Sequence, residues 1–286
     1  MGKIISTAYL MGGLGNQMFQ IAHAISQAYK QNIDCVFKPE AYTPMQANQP
    51  SKYLNNIYRN VLFSENIGEK VVRMHEATWN NSRVNPKWDT SIEFYGYFQS
   101  SKNFLGNDKA IIDLFAPTID FLNKVKKKYP QILEENTISI HIRRGDYLQI
   151  SDVMPVLDKS YFDYCLEQMK EYSTVFIFSD DIEWVENNLD YKRSIIVKNL
   201  EDYEEMWLMS LCKNNVMSNS SFSWWGSFLN KNKNKTVFVP SIWFGPKGPK
   251  SFYNIYEAEW NKINVKYSNG RLLHSKSKSF FKLFSK

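Results

Sequence analysis

The second half of this 286-residue chain alternates regularly between short apolar segments and amphipathic ones, and this alternation restricts the possible folds most. The apolar segments are typical of strands and read TISIHIRR, TVFIFS, SIIVK, NNVMSN and KTVFVP. The apolar spacing between them predicts helices over residues 158–171, 181–189, 201–212 and 221–231. Strands joined by helices of this length form parallel sheets with right-handed crossovers. We therefore predict an α/β fold with a doubly wound sheet, in which ligands bind at the carboxyl ends of the strands.

The first half shows the same alternation less regularly. Its strand-like segments are KIISTAYL, DCVFK and SIEFYGYFQ, and its helix-like segments are NQMFQIAHAISQAYK and residues 118–129. Residues 39–60 are rich in Pro, Asn and Gln and predict a long loop. The natural boundary is the Lys/Pro/Glu/Asn-rich stretch 124–136. We therefore predict an N-terminal lobe over 1–130, a C-terminal lobe over 131–260 and a basic tail over 261–286.

Composition excludes several classes of protein. A hydrophobic content of 43% with 15% aromatic residues is typical of a globular protein, and no apolar run is long enough to span a bilayer. The three cysteines form no C-x-x-C pair, which argues against a disulfide framework and a structural zinc site and favours a cytoplasmic setting. Of the net charge of +6, seven Lys/Arg lie in residues 261–286, which contain no acid. This tail fits either peripheral contact with an anionic membrane or a frayed end, and no nucleic-acid-binding module accompanies it.

Three motifs lie where ligands are expected. The first, GGLGNQMFQ, follows the first predicted strand. Its glycines allow close approach of the backbone, and Asn16 can cap the following helix, whose N-terminus can bind an anion or a sugar. The second, HIRRGDY, ends the strand TISI, and there His141 and Arg143 share one face. Arginine suits bidentate binding of phosphate, although an ion pair with Asp146 is the structural alternative.

The third motif, SNSSFSWWGSFL, follows the strand NNVMSN. Ser220 and Ser221 are suited to begin a helix, and the structural interpretation is that they only cap it. The functional interpretation adds free backbone N–H groups and the positive end of the helix dipole, both directed at an anion. We expect Trp224 and Trp225 to pack in the core rather than to stack on a ligand.

A fourth segment, FSDD, ends the strand TVFIFS. Asp180 and Asp181 are adjacent, so their carboxylates point apart and do not form a metal site of the D-x-D kind. A contact with a purine or ribose, or the cap of the next helix, explains them better.

Taken together, GGLGNQMFQIAHA, HIRRGDY, FSDD and SNSSFSWWGSFL, with GYFQS at 96–100 and EEMWLMSLC at 204–212, are specific. Over about residues 5 to 245 the chain resembles the bacterial α-1,2-fucosyltransferases of glycosyltransferase family 11. The resemblance implies a GT-B-like fold, in which two Rossmann-like lobes face each other across a cleft. It implies inverting transfer of L-fucose from GDP-β-L-fucose to the 2-hydroxyl of a terminal β-galactoside, with no metal or other cofactor. The acceptor would belong to a bacterial surface polysaccharide and could be lipid-linked.

The resemblance also implies roles for single residues. Arg143 matches the arginine of an H-x-R motif that grips the β-phosphate in related fucosyltransferases, and Asn16 matches an asparagine that faces the reacting centre. The predicted catalytic residues are Arg143, Asn16 and Asp146. The predicted donor-binding residues are His141, Arg143, Arg144, Asp181, Ser218, Asn219, Ser220, Ser221 and Phe222. The predicted acceptor-side residues are Gly13, Gly15, Asn16, Gln17 and Gln99.

Charge development on the departing GDP agrees with these roles. Negative charge grows on the β-phosphate as the glycosidic bond breaks, and Arg143 with a helix N-terminus can stabilise it without a metal. The sequence does not identify the base that takes the proton of the acceptor hydroxyl. Asp146, His23 and Glu93 are candidates, and a reaction without a dedicated base is also open. Two other hypotheses remain: the same fold acting on another GDP-deoxyhexose or linkage, and a sugar- or nucleotide-binding module without catalysis.

Overall fold

The structure, a computed structural model, describes residues 3–40, 48–67, 71–76 and 88–275. Its strands are β1 (Ile5–Ala8), β2 (Asp34–Cys35), β3 (Val71–His75), β4 (Ser91–Tyr95), β5 (Ile138–Ile142), β6 (Val156–Leu157), β7 (Val175–Ser179), β8 (Ser194–Ile196), β9 (Asn214–Val216), β10 (Val237–Pro240), β11 (Asn261–Ile263), β12 (Val265–Ser268) and β13 (Arg271–His274). Its α-helices are α1 (Leu14–Gln31), α2 (Asp108–Leu114), α3 (Ile119–Lys128), α4 (Lys159–Gln168), α5 (Ile182–Asn188), α6 (Asp202–Leu211) and α7 (Ser221–Phe228). In this part of the chain, no helix combines the length and the apolar character needed to cross a membrane.

The first sheet has four parallel strands in the order β2-β1-β4-β3. Helix α1 follows β1 and buries its apolar side against the sheet, with Met18, Ile21 and Ala22 fully inaccessible. Because β2 lies on one side of β1 and β4 on the other, the strand order reverses between β1 and β4. The segments that follow these two strands therefore flank a crevice at the carboxyl edge of the sheet.

The second sheet has six parallel strands in the order β11-β10-β9-β5-β7-β8. Numbered within the sheet from β5, this order is that of a Rossmann fold, and the reversal lies between β5 and β9. The interior strands β5 and β7 are almost entirely buried, because helices cover both faces of a parallel sheet. The predicted α/β fold with a doubly wound second half is confirmed.

A small third sheet changes the interpretation of the tail. β12 and β13 form an antiparallel hairpin, and β13 adds in parallel to β6. The alternative that the tail is a frayed end is therefore wrong for residues 261–275, where β11 also closes one edge of the second sheet. Residues 276–286 of the predicted tail, like residues 41–47 of the predicted long loop, lie outside the described residues.

Aromatic side chains join the two large sheets. Trp224 and Trp225 on α7 are fully buried, and their rings lie 4.5 and 5.0 Å from the Phe19 ring on α1. Trp225 Nε1–H also donates to the Gly15 carbonyl at 2.9 Å. The expectation that the tryptophans pack rather than bind a ligand is confirmed.

Helix α3 shows that the boundary between the lobes is not a simple cut in the sequence. Phe121 packs on Trp207 of α6, with the ring centres 5.1 Å apart, and Tyr129, just past the helix, packs on Phe176 of β7. Residues before position 130 thus contact the second sheet, and the division at 130/131 stays a prediction.

Candidate functional site

The carboxyl ends of β5 and β9 meet at the point where the strand order of the second sheet reverses. The Arg143 N–H, just past β5, donates to Ser218 Oγ at 3.2 Å, and Ser218 Oγ–H donates to the His141 carbonyl at 2.6 Å. Ser218 therefore joins the HIRRGDY segment to the segment before α7. The strand β5 ends at Ile142 rather than Arg144 as predicted, so both arginines lie in the loop beyond the sheet.

The Arg143 side chain lies between two carboxylates. Its guanidinium is 2.7 Å from Asp146 Oδ1 and 3.0 Å from Asp180 Oδ2, and it lies over the Tyr147 ring at 5.4 Å. Burial acts to lower the pKa of Arg143, but Asp180, Tyr147 and Asp146 together shift this pKa upward. Arg143 is therefore cationic and held in place, and about a third of its side chain, 32%, is accessible.

Arg144 and Asp181 form a separate pair. Arg144 Nε is 2.9 Å from Asp181 Oδ2, and the guanidinium stacks over the Trp184 ring at 4.1 Å. Asp181 Oδ1 accepts from the Trp184 N–H at 3.0 Å and so caps α5. The cap, one of the two alternatives for FSDD, is thus present, and binding of the donor by Arg144 and Asp181 stays a prediction.

Asp180 fixes the turn that contains Arg144 and Gly145. The Asp180 carboxylate accepts from the Arg144 N–H at 2.9 Å, and a Cβ on Gly145 would lie 2.6 Å from Asp180 Oδ2. Glycine at position 145 therefore allows Asp180 to reach both the turn and the guanidinium of Arg143.

Four of the predicted donor-binding residues, His141, Ser218, Asn219 and Ser220, are buried within the protein. Ser218 Oγ bonds the Arg143 N–H and the His141 carbonyl. Asn219 Nδ2 donates to the carbonyls of Pro155 and Trp243 at 3.0 and 2.9 Å. His141 lies beside the Phe222 ring, and burial, aided by Arg143, lowers the pKa of its imidazole to about 3. His141 is therefore neutral at pH 7. These side chains shape the segment, and their direct contact with a donor stays a prediction.

Helix α7 begins directly above this segment. Ser220 is its N-cap, and Ser220 Oγ accepts from the Phe222 N–H at 3.3 Å. The first turn of an α-helix leaves further N–H groups without intrahelical partners, and the first turn of α7 carries no acid. Ser221 and Phe222 are partly exposed there. The helix dipole and these N–H groups favour an anion beside Arg143.

The first sheet has a matching arrangement at its own reversal point. Asn16 lies in the first turn of α1, after β1, and Gln99 lies beyond β4. Gln99 Nε2–H donates to Asn16 Oδ1 at 2.7 Å. Gln17, by contrast, is fully buried, and its amide bonds to the carbonyls of Gly12 and Asn48. Gln17 thus holds the neighbouring loops together, and its predicted place on the acceptor side stays a prediction.

The helices that begin at the two reversal points, α1 and α7, contact each other at Gly15. A Cβ at this position would lie 2.6 Å from the carbonyl carbon of Ser221 and 2.8 Å from the Phe222 nitrogen. The first turn of α1 therefore touches the first turn of α7, and neither turn carries an acid. Gly13 is the N-cap of α1, and a Cβ there would meet no described atom within 4 Å. The two helix N-termini thus lie against each other, and Arg143, which is bonded to Ser218 just before α7, lies on the side of the second.

The three candidate bases differ in location. His23 is fully buried and parallel to the Phe98 ring at 4.2 Å, and burial lowers its pKa to about 3. Glu93 is paired with Arg73 at 2.6 Å. Asp146 alone of the three lies against Arg143.

Sequence reasoning missed two contributors. The Tyr147 hydroxyl donates to the Asn219 carbonyl at 3.1 Å and supports Arg143 with its ring, although a single tyrosine gives no signal in the sequence. Glu205, in the first turn of α6, has a pKa raised to about 8 by burial, then by Asp202 and Asp180. It belongs to the EEMWLMSLC motif, but its proximity to Asp180 depends on the fold. Among the described residues, no group of three or more His, Cys, Asp or Glu could hold a metal ion.

Comparison with known proteins agrees with this geometry. The profile of the family described as glycosyl transferase family 11 matches residues 2–264. The chain is 28% identical to an α-1,2-colitosyltransferase of Escherichia coli over 277 residues, 87% of this chain and 95% of that protein. It is 31% identical to the O-antigen biosynthesis glycosyltransferase WbnK of Escherichia coli over 284 residues, 82% of this chain and 93% of that protein.

A solved structure gives the same result for the fold. The crystal structure of NodZ α-1,6-fucosyltransferase soaked with GDP-fucose superposes with a TM-score of 0.51 at 11% identity, covering 79% of this chain and 92% of NodZ. The predicted GT-B-like arrangement of two Rossmann-like lobes is confirmed. The chain belongs to glycosyltransferase family 11.

Proposed function

We propose that this glycosyltransferase moves L-fucose from GDP-β-L-fucose to the 2-hydroxyl of a terminal β-galactoside, with inversion to an α-1,2 linkage. The observation that carries the proposal is the placement of Arg143 beside the N-terminus of α7, which lies against the N-terminus of α1. This arrangement combines a fixed cation with helix ends, which suits a diphosphate. The likeness to an α-1,2-colitosyltransferase and to a structure soaked with GDP-fucose supports the linkage and the donor.

In the proposed mechanism, the diphosphate lies between Arg143 and the first turn of α7. The bond between C1 of the sugar and the β-phosphate oxygen breaks, and its electron pair stays on that oxygen. Arg143 and the N–H groups of α7 stabilise the charge that develops there, and this is the interaction that lowers the barrier. The acceptor oxygen forms the new bond to C1 from the opposite face of the sugar.

The attacking hydroxyl loses its proton as this bond forms. Asp146 is the predicted catalytic carboxylate, and its ion pair with Arg143 at 2.7 Å links its charge to the diphosphate site. Asp146→Asn separates two routes. A large loss of kcat with an altered pH profile supports Asp146 as the base, whereas a small loss supports transfer of the proton to water or phosphate.

Metal independence is part of the proposal. Arg143 and the N-terminus of α7 supply the positive charge that a divalent cation supplies in metal-dependent glycosyltransferases. Turnover should therefore persist in EDTA and should not rise when Mg²⁺ or Mn²⁺ is added.

One experiment tests donor, linkage and metal requirement together. The purified chain is offered GDP-L-fucose and a panel of β-galactosides in EDTA, and the new glycosidic bond is located by NMR. An α-1,2-fucosylated galactoside is the expected product. Another linkage overturns the proposed regiochemistry, and binding of the donor with neither transfer nor hydrolysis supports the alternative of a non-catalytic module.

A second candidate donor is another GDP-deoxyhexose, since one relative is a colitosyltransferase. The same panel, extended to GDP-colitose, decides between the two by their kcat/KM values. For the acceptor, the likeness to an O-antigen biosynthesis enzyme supports a surface polysaccharide built on a lipid carrier at the cytoplasmic face of the membrane. The lysine- and phenylalanine-containing segment 276–286 supports peripheral contact with anionic lipid there.

A further inference from the structure

Gln99 is bonded differently from the other buried glutamines nearby. Its side chain is 7% exposed, its Nε2–H donates to Asn16 Oδ1 at 2.7 Å, and its Oε1 is buried without a partner among the described residues. A buried acceptor without a hydrogen bond is costly, so a folded protein keeps one only where something else requires it.

Gln20 shows what an ordinary buried glutamine does in the same region. Its Oε1 accepts from the Met11 N–H at 3.0 Å, and its Nε2 donates to the carbonyls of Met11 and Gly96 at 3.3 and 3.1 Å. Gln20 thus joins the loop after β1 to the loop after β4 with both ends of its amide. Gln99, which lies in the loop after β4, bonds the first turn of α1 with one end of its amide only, and that end bonds a side chain instead of the backbone.

The bond from Gln99 determines the orientation of the Asn16 amide. Because Asn16 Oδ1 accepts from Gln99, the Nδ2 side of the amide points away from Gln99. Asn16 is half-buried, and no described residue accepts a hydrogen bond from its Nδ2. Asn16 lies next to Gly15, where the first turn of α1 touches the first turn of α7. Asn16 Nδ2 lies beside Gly12, where a Cβ would come within 2.6 Å of it. Gly12 and Asn16 are both partly exposed, so these N–H donors lie at the accessible side of the turn between β1 and α1.

We propose that Gln99 is a positioning residue, which holds the amide of Asn16 so that its Nδ2–H groups face the reacting sugar. The proposal rests on the function proposed above. Gln99 acts only through Asn16, so its unbonded Oε1 is the consequence of presenting its Nε2 to Asn16. If Gln99 served only to support the two loops, it would act in the same way whatever residue occupied position 16.

A double-mutant cycle separates these two roles. The four proteins are the wild type, Gln99→Met, Asn16→Ala and the double variant, with kcat and donor KM measured for each. We expect Gln99→Met to lower kcat on the order of tenfold, with the donor KM changed less than about threefold. In the Asn16→Ala background, the same change should alter kcat less than about twofold, because the group that Gln99 positions is already gone.

Gln20→Met is the matched control, because it removes a buried glutamine that also joins α1 to the loop after β4 but bonds no side chain of the site. It should lower kcat by the same factor in the wild-type and Asn16→Ala backgrounds, and it should lower Tm. Gln99→Met should leave Tm unchanged or higher, because it removes a buried acceptor without a partner. If Gln99→Met instead lowers kcat by the same factor in both backgrounds, as is expected for Gln20→Met, the positioning role is overturned.

Gln99→Glu gives an independent test. An ionised glutamate offers only acceptors, so Asn16 must turn its Nδ2 toward residue 99 and its Oδ1 toward the cleft. We expect Gln99→Glu to lower kcat at least as much as Gln99→Met, and an unchanged kcat would contradict the proposal. A wild-type protein that transfers no sugar from any GDP-deoxyhexose refutes the proposed function itself. If the wild type is active but the effects of Gln99→Met and Asn16→Ala on kcat multiply, only the role of Gln99 is refuted.

Discussion

Gly15→Ala tests whether the contact between α1 and α7 forms the site. The new Cβ would lie 2.6 Å from the Ser221 carbonyl carbon, 2.7 Å from its oxygen and 2.8 Å from the Phe222 nitrogen. All three atoms belong to the backbone, so no change of rotamer relieves the overlap. Ordinary contact begins near 3.4 Å, so the two helix ends must separate by about 0.8 Å.

This displacement should affect catalysis more than stability. A misplacement of about 1 Å costs on the order of a hundredfold in rate, so we expect kcat to fall between about tenfold and a hundredfold. Alanine gains roughly 1 kcal/mol over glycine within a helix, whereas overpacking costs about 1–3 kcal/mol. The free energy of unfolding should therefore fall by only about 0–2 kcal/mol.

The assay measures initial rates with GDP-L-fucose and a saturating galactoside, together with Tm by circular dichroism. Gly226→Ala is the matched control, since it makes the same change within α7. Its Cβ would lie 2.9 Å from Cβ and 3.0 Å from Sδ of Met209. The Sδ can move with a change of rotamer, whereas the Cβ requires a small shift of α6 against α7, away from the contact between α1 and α7. We expect this control to lower Tm slightly and to keep kcat within about threefold. A folded Gly15→Ala protein with wild-type kcat would show that the contact between the helix ends is unimportant for the reaction.

Three further predictions concern charge. Arg143→Ala should lower kcat on the order of a hundredfold or more, measured by product formation, because it removes the cation and exposes the diphosphate to unpaired carboxylates. Arg193→Ala, at the opposite edge of the second sheet, should not lower it, and a similar loss in both variants would refute the phosphate assignment. Glu205 has its pKa raised to about 8 by burial, then by Asp202 and Asp180, so its ionisation destabilises the fold as pH rises from about 4.5 to 8. Glu205→Gln should therefore raise Tm at pH 8 but not at pH 4, and an equal change at both would contradict this. Deletion of residues 276–286, which contain four lysines and three phenylalanines, should reduce binding to anionic vesicles in a flotation assay and spare turnover on a soluble galactoside. Unchanged vesicle binding would contradict the membrane role.

The interior strands of the second sheet were predictable because a strand that is buried on both faces is a short segment rich in apolar residues. The strands β7 and β10 are mostly apolar runs, β5 alternates isoleucine with Ser139 and His141, and the positions of the strands in the sequence place Arg143 and Ser218 after strand ends. The N-cap of α7 and the packing role of its tryptophans followed from serine and from the apolar spacing.

Elements at the edges and contacts between distant segments were not predictable in the same way. The edge strand β3 carries Arg73 and His75 and has no apolar alternation, and β12 reads as part of a basic tail because Lys266 faces solvent. The bond between Gln99 and Asn16 joins residues that are 83 positions apart. The close approach of Gly15 to the Ser221 backbone likewise forms only when both lobes are folded. A single sequence contains no local signal for either.

The bond between Trp225 and Gly15, which are separated by 210 residues, has a consequence for synthesis in the cell. A growing chain forms the first sheet long before α7 leaves the ribosome, and the hairpin of β12 and β13 that completes the third sheet emerges last. Contacts of such high sequence separation form late in folding. The contact between the first turns of α1 and α7 therefore forms only after most of the chain has been synthesised.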